Sequence, residues 1–172
     1  MKIRGWFFYG IQTGFHQCRI ENRIEILTRL GGYKVNEKLI RVGTTYLPVT
    51  NVELSSEWYV NKLGAELNYI DNDKAILNLA NQSIFLVKSR ENQNSNFYDI
   101  YGNEQFSITF EVNGLDALER IHQDFIEKEI TSGDIENRGH AGKNFVFYDI
   151  DGNKFDVWSE LSPVFKEKFI LG

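Results

Sequence analysis

The chain has 172 residues, 42% of them hydrophobic and 25% charged, with a formal net charge of −5. That describes one ordinary globular domain, or two half-size units sharing a core. It gives no general reason to expect nucleic acid as a partner, and no stretch approaches the roughly 18 apolar residues of a membrane span.

The charge is uneven. Residues 1–41 hold eight Lys/Arg against Glu21, Glu25 and Glu37, a local +5 that leaves −10 for residues 42–172. A basic arm of this kind either meets an anionic partner or lies on its own acidic domain. Cys18 is the single cysteine, which excludes an intramolecular disulfide and a cysteine-based zinc site and fits a reducing cytoplasm. Segment 5–15 is aromatic but broken by Gly10, Gln12 and Gly14, unlike the uniform apolar core of a signal peptide.

Residues 1–40 read as an N-terminal extension. Ile20, Ile24, Leu27 and Leu30 fall on one helical stripe that Gly31–Gly32 ends. From residue 41 the pattern changes. An extended run ends in TTYLPV, where Pro48 points to an edge strand or an irregular end. Thr50 or Asn51 then caps a helix, ELSSEWYVNKL, that Gly64 stops and that buries Trp58, Tyr59 and Leu63. Three short strands follow, AELNYI, KAILNLA and SIFLVKS, separated by Asp71-Asn72-Asp73 and Asn81-Gln82 turns. Residues 89–105 are a polar connector, yet Phe97, Tyr98, Ile100 and Tyr101 are too apolar for a pure spacer; they fit a flap over a cleft or a subunit contact.

The pattern then repeats. SITFEV is a strand, and Asn113 or Asp116 caps a helix with Leu115, Leu118, Ile121, Phe125 and Ile126 inward. ENRGHAGKN is a glycine-bearing loop, NFVFYDI a strand, DGN a tight turn and KFDVWSE the last strand, before a tail with a short helix after Pro163. Each unit therefore reads β-α-β-β-β, about 41–90 and 105–160. The fold class is α+β: two βαβββ modules forming a curved mixed sheet around a cleft, helices outside, within a domain spanning 41–172.

YLPVTNVELSSEWYVNKLGAEL followed by FYDIDGNKFDVW resembles the vicinal oxygen chelate superfamily, which includes glyoxalase I, bleomycin-resistance proteins, fosfomycin-resistance enzymes and extradiol dioxygenases. The resemblance covers about residues 40–160. It implies a homodimer, and a cleft in which His, Glu or Gln side chains on the first and last strands of both modules bind a divalent ion. Carried over, the four ligand positions read Thr44, Ile84, Ser107 and Asp156. Metals of this kind want imidazole, thiolate or carboxylate donors, so a divalent ion is disfavoured and no cofactor is expected. Glyoxalase I chemistry and dioxygen activation are disfavoured with it.

Strand alternation extends those positions to a lining of Thr44, Tyr46, Leu86, Ser107, Thr109, Glu111, Asp156 and Trp158, with His140 reaching the rim from its loop. This is an apolar, aromatic wall with a few polar anchors and a negative balance that favours neutral or cationic ligands. The leading expectation is a metal-free small-molecule-binding protein. An enzyme (lyase, isomerase or transferase on a small oxygenated substrate) with Asp156 or Glu111 as general base is the alternative, and an interaction role for the basic arm is a third reading.

Overall fold

In the computed structural model, residues 39–169 are described; the helical stripe, and all of the basic arm read over residues 1–41 except its last three residues, lie outside them. The compact unit Val42–Gly172 opens with β1 (Thr44–Val49), α1 (Val52–Leu63), β2 (Glu66–Ile70), β3 (Lys74–Leu79) and β4 (Gln82–Lys88). These strands form a mixed sheet in the order β1-β4-β3-β2. β1 is therefore an edge strand, paired parallel to β4 alone, which is where Pro48 and its missing N–H are tolerated.

Helix α1 starts because Asn51 Oδ1 accepts a hydrogen bond from Leu54 N at 3.1 Å. It ends at Gly64, whose φ of 71° lets its N–H turn back to the last helical carbonyls. Between these caps it buries Val52, Ser55, Ser56 and Tyr59. Thr50, the other cap candidate, turns to the second module instead. At the β2–β3 turn Asp71 Oδ1 accepts from Asp73 N and Lys74 N, an Asx turn.

The connector holds a structured piece that its polar composition hides. β5 (Phe97–Tyr98) pairs with β6 (Glu104–Gln105) as a small hairpin around Asp99, which takes hydrogen bonds from Tyr101 N and Asn103 N. Its tip leaves Ile100 and Tyr101 exposed.

The second module comprises β7 (Thr109–Glu111), α2 (Leu115–Glu127), β8 (Asn144–Tyr148) and β9 (Lys154–Trp158), with sheet order β7-β9-β8. Here β7 runs parallel to β9 and β8 antiparallel to it. The place of a second strand is taken by two isolated bridges, Ser132 to Phe147 and Glu136 to Asn144. A short helix α3 (Pro163–Phe169) closes the described chain, with Pro163 as its first residue.

Each sheet is apolar on the face toward its helix. Leu47, Val49, Ala75, Leu77, Ile84 and Leu86 pack with Tyr59 and Val52 of α1. Phe145, Phe147, Phe155 and Val157 pack with Leu118 and Phe125 of α2, and the Phe125 ring meets Phe145 and Phe147 edge-on. Leu115 and Ile126 were expected inward on α2 but are 38% and 52% exposed. The 3.6-residue period aligns Leu118, Ile121 and Phe125, and rotates those two off the buried stripe. Nor does a side chain cap α2: Gly114 holds the N-cap position with φ 94°, in place of Asn113 or Asp116.

A polar clamp joins the two modules. Asp151, in the turn before β9, accepts from Thr50 N, Thr50 Oγ1 and Ser55 Oγ at 2.6–2.7 Å. Asp149 accepts from Tyr59 Oη at 2.7 Å, and the fully buried Asn153 donates to Pro48 O and Asp149 Oδ2. Burial of Asp149 raises its pKa above the ordinary 3.8, and burial raises that of Tyr59 with Asp149 as the second cause.

Candidate functional site

The faces turned away from the helices differ in chemistry. In module two, β9 places Lys154, Asp156 and Trp158 on that face; β8 adds Asn144 and Val146, and β7 adds Thr109 and Glu111. A cavity of about 380 Å³ opens there, lined by Phe106, Thr109, Arg138, His140, Asn144, Asp156 and Trp158. That volume suits a small organic molecule.

Asp156 is the centre of the arrangement. It is 2% exposed, a carboxylate that needs partners, and it has three. Arg138 donates to Oδ1 at 2.8 Å; Asn144 Nδ2 and Thr109 Oγ1 donate to Oδ2 at 2.8 and 3.2 Å. Thr109 reaches it because the β7–β9 register sets the two residues opposite each other. Arg138 comes from the loop that the Glu136–Asn144 bridge closes. Its Nε donates to Glu136 at 3.2 Å, and its guanidinium lies 5.6 Å from the centre of the Phe106 ring.

The remaining wall is Trp158 with His140. Trp158 Nε1 donates to Ala141 O at 2.8 Å, and the His140 ring stands edge-on to Trp158 at 5.8 Å. His140 Nδ1 lies 2.9 Å from the same carbonyl. A carbonyl only accepts, so Nδ1 carries the hydrogen and neutral His140 keeps Nε2 as an acceptor. Gly142 lets the loop approach this closely: its φ is 75°, and a Cβ there would stand 2.6 Å from Ser159 Oγ and 2.9 Å from Trp158 Nε1.

One polar atom is left over. Asn144 gives its amide to Asp156, but its buried Oδ1 has no donor, a deficit of about 1–3 kcal/mol.

At the far end of the same face, Tyr148 Oη donates to Glu104 at 2.9 Å and Lys154 Nζ to Glu104 O at 2.7 Å. These bonds fasten the β5–β6 hairpin to the sheet. Burial first, then the Glu104 hydrogen bond, push the Tyr148 phenol up to about 12.

Of the residues expected to line one cleft, Thr109, Asp156, Trp158 and His140 meet at this cavity. The others do not. Ser107 donates to Ser95 O, two positions before the residue that faces Asp156. Glu111 lies beyond the cavity at the end of β7 and accepts from Ser162 N at 2.8 Å. Thr44 and Tyr46 belong to the corresponding face of module one, where Tyr46 is 63% exposed and stacks obliquely on Phe85 at 5.0 Å.

Leu86 and Ile84 are corrections. Both are buried beneath α1 in the core, at 0% and 2% exposure. The observed pairing sets Tyr46 against Phe85 as it sets Thr109 against Asp156, so Phe85 is the register equivalent of Asp156. A one-residue difference in alignment reverses the face of every side chain on a strand.

The negative balance expected of the lining is also corrected. Arg138 neutralises Asp156, and sequence spacing could not pair residues 18 apart across a loop. Arg138 is missed for that reason; Asn144 and Phe106 also line the cavity without having been expected there. Asn144 and Val146 alternate with buried phenylalanines along NFVFY, a signal that would have put Asn144 on the Asp156 face.

The donor set does not fit a divalent metal. No group of three or more His, Cys, Asp or Glu residues is placed to hold an ion among the described residues. The one carboxylate at a ligand position already accepts three hydrogen bonds, and the guanidinium at 2.8 Å would repel a cation.

No family model matches the sequence, and no curated protein matches it. Solved structures do. The fosfomycin resistance protein FosX from Listeria monocytogenes superposes with a TM-score of 0.59 at 14% identity, over 72% of this chain and 96% of that one. Lactoylglutathione lyase from Agrobacterium tumefaciens gives 0.56 at 15%, over 71% and 95%. A glyoxylase/bleomycin resistance protein/dioxygenase domain from Frankia sp. EAN1pec gives 0.54 at 17%, over 70% and 98%. The chain therefore shares the paired-module fold of these structures, as its sequence reading implied. At such identities the likeness defines architecture, and the chemistry has to be argued from the site.

Proposed function

We propose that this chain is a small-molecule-binding protein of the glyoxalase/bleomycin-resistance/dioxygenase type that works without a catalytic metal. The observation that carries the reading is the Arg138–Asp156 pair. A guanidinium supplies the positive charge at the one carboxylate left on the metal-ligand positions. Around it stand an aromatic wall and unspent hydrogen-bonding groups, the usual make-up of a ligand pocket. The proposal includes a cytoplasmic location, as the lone cysteine suggests, and no nucleic-acid partner, given the −10 carried by residues 42–172. It also includes a homodimer, in which the exposed Tyr46 and the Tyr98–Tyr101 hairpin tip are the apolar surface to be covered.

The test is a ligand screen on the full chain, read by tryptophan fluorescence with and without chelator, alongside metal analysis. Saturable binding unchanged by chelator is the expected result. Stoichiometric metal, or binding abolished by chelator, overturns the reading.

A second reading, an enzyme acting on a small oxygenated substrate, is favoured by one observation. The cavity carries an unengaged basic atom, His140 Nε2, whereas Asp156 is enclosed by three donors and Glu111 lies elsewhere. In that reading the general base moves from Asp156 to His140. A turnover that survives Asp156→Asn yet is lost in His140→Ala would support it; the reverse would restore Asp156 to the role.

A further inference from the structure

We infer that the module-two cavity takes a small, neutral, planar ligand that carries an N–H or O–H donor beside a carbonyl-type acceptor, a primary carboxamide being its simplest form. The inference rests on the binding function proposed above and assigns a ligand class to it.

Charge comes first. Arg138 is held between Asp156 at 2.8 Å and Glu136 at 3.2 Å. A cationic ligand would have to displace the guanidinium from a 2%-exposed carboxylate. An anionic ligand would meet Arg138 only beside two carboxylates. A neutral ligand meets neither opposition.

Hydrogen bonding narrows the class. The Nδ1–H of His140 is spent on Ala141 O, which leaves Nε2 of this exposed ring free to accept from a ligand donor. Arg138 uses Nε and one N–H of Nη1 on Glu136 and Asp156. The other guanidinium N–H groups can donate to a carbonyl. A ligand that matches this lining has to donate and accept, and a carboxamide does both within one planar group.

Shape agrees with chemistry. Trp158 is fixed by its indole hydrogen bond, and Phe106 borders the same space of about 380 Å³, so a single aromatic ring bearing the amide has a wall to lie on.

The test uses the full chain with ¹⁵N-labelled tryptophan side chains, the Trp158 indole signal being assigned from Trp158→Phe. Benzamide, N,N-dimethylbenzamide, benzylamine and benzoate are titrated in turn. Benzamide is expected to shift the Trp158 signal saturably and to bind about tenfold more tightly than its dimethyl analogue, which keeps the acceptor but has lost the donor. In His140→Ala, an exposed loop substitution, that preference is expected to disappear. Equal affinity for the two amides, or a preference unchanged in His140→Ala, overturns the ligand class. Preferred binding of benzylamine or benzoate also overturns it, while leaving the pocket reading intact. Silence toward all four compounds overturns the ligand class, and the broader screen described above then decides whether the pocket reading falls with it.

Discussion

Across β1 and β4 the first module sets Tyr46 opposite Phe85, and across β7 and β9 the second sets Thr109 opposite Asp156. The two pairs occupy equivalent places in a duplicated frame. In the first they are aromatic rings 5.0 Å apart; in the second, a hydroxyl bonded to a carboxylate. The helix-facing sides of the two sheets are both apolar and conform to the same rule, because burial beneath a helix constrains them. The outward faces carry no such constraint and have taken different chemistry. Among the described residues, the polar cluster at Asp156 thus has no counterpart at the equivalent register position of the first module.

The largest effect that would sharpen this contrast is at Asp156. Asp156→Ala removes the partner of Arg138 and leaves Asn144 and Thr109 without their acceptor, and it is expected to cost about 2–3 kcal/mol in urea denaturation. The equivalent change in module one, Phe85→Ala, removes packing against Tyr46 on a partly exposed face and is expected to cost about 1 kcal/mol. Equal losses would erase the distinction between the faces.

Tyr59→Phe comes next, at about 1–2 kcal/mol, since it removes the hydroxyl that Asp149 accepts from. The same carboxylate predicts a pH effect. Its folded-state pKa is raised, so its contribution to stability is full below the ordinary value of 3.8 and is lost as pH rises through the raised value. Denaturation midpoints measured upward from about pH 4 should therefore fall more in the native chain than in Asp149→Asn.

The smallest effect is at Tyr46. Tyr46→Ser on the exposed face should change monomer stability by less than about 0.5 kcal/mol. Size-exclusion chromatography of the same variant tests the proposed homodimer, which is expected to weaken.

The parts legible in the sequence were those fixed by local rules. Asn51 and Gly64 bound α1 because capping is read from neighbouring residues, and Pro48 marked an edge strand because it lacks an N–H. Asp156 was legible only through the resemblance, as the one carboxylate among the four carried-over ligand positions. Arg138 was not, since its loop reaches Asp156 through a two-residue bridge rather than a strand with a readable period. Leu86 lies on the face opposite to the expected one because similarity between the halves tolerates a shift of one residue, whereas hydrogen-bonded pairing does not. The β5–β6 hairpin escaped notice because two-residue strands leave too short a pattern.

The clamp at Asp151 also bears on the order in which the chain folds. Thr50 N and Asp151 Oδ1 are 101 residues apart in sequence, so the entry to α1 depends for that partner on the β8–β9 turn of the second module. A nascent chain that has released only the first module holds a helix whose buried Tyr59 hydroxyl and Ser55 hydroxyl still lack their acceptors at Asp149 and Asp151. The duplicated halves are for this reason linked through shared buried partners: a turn of the second module completes the first helix.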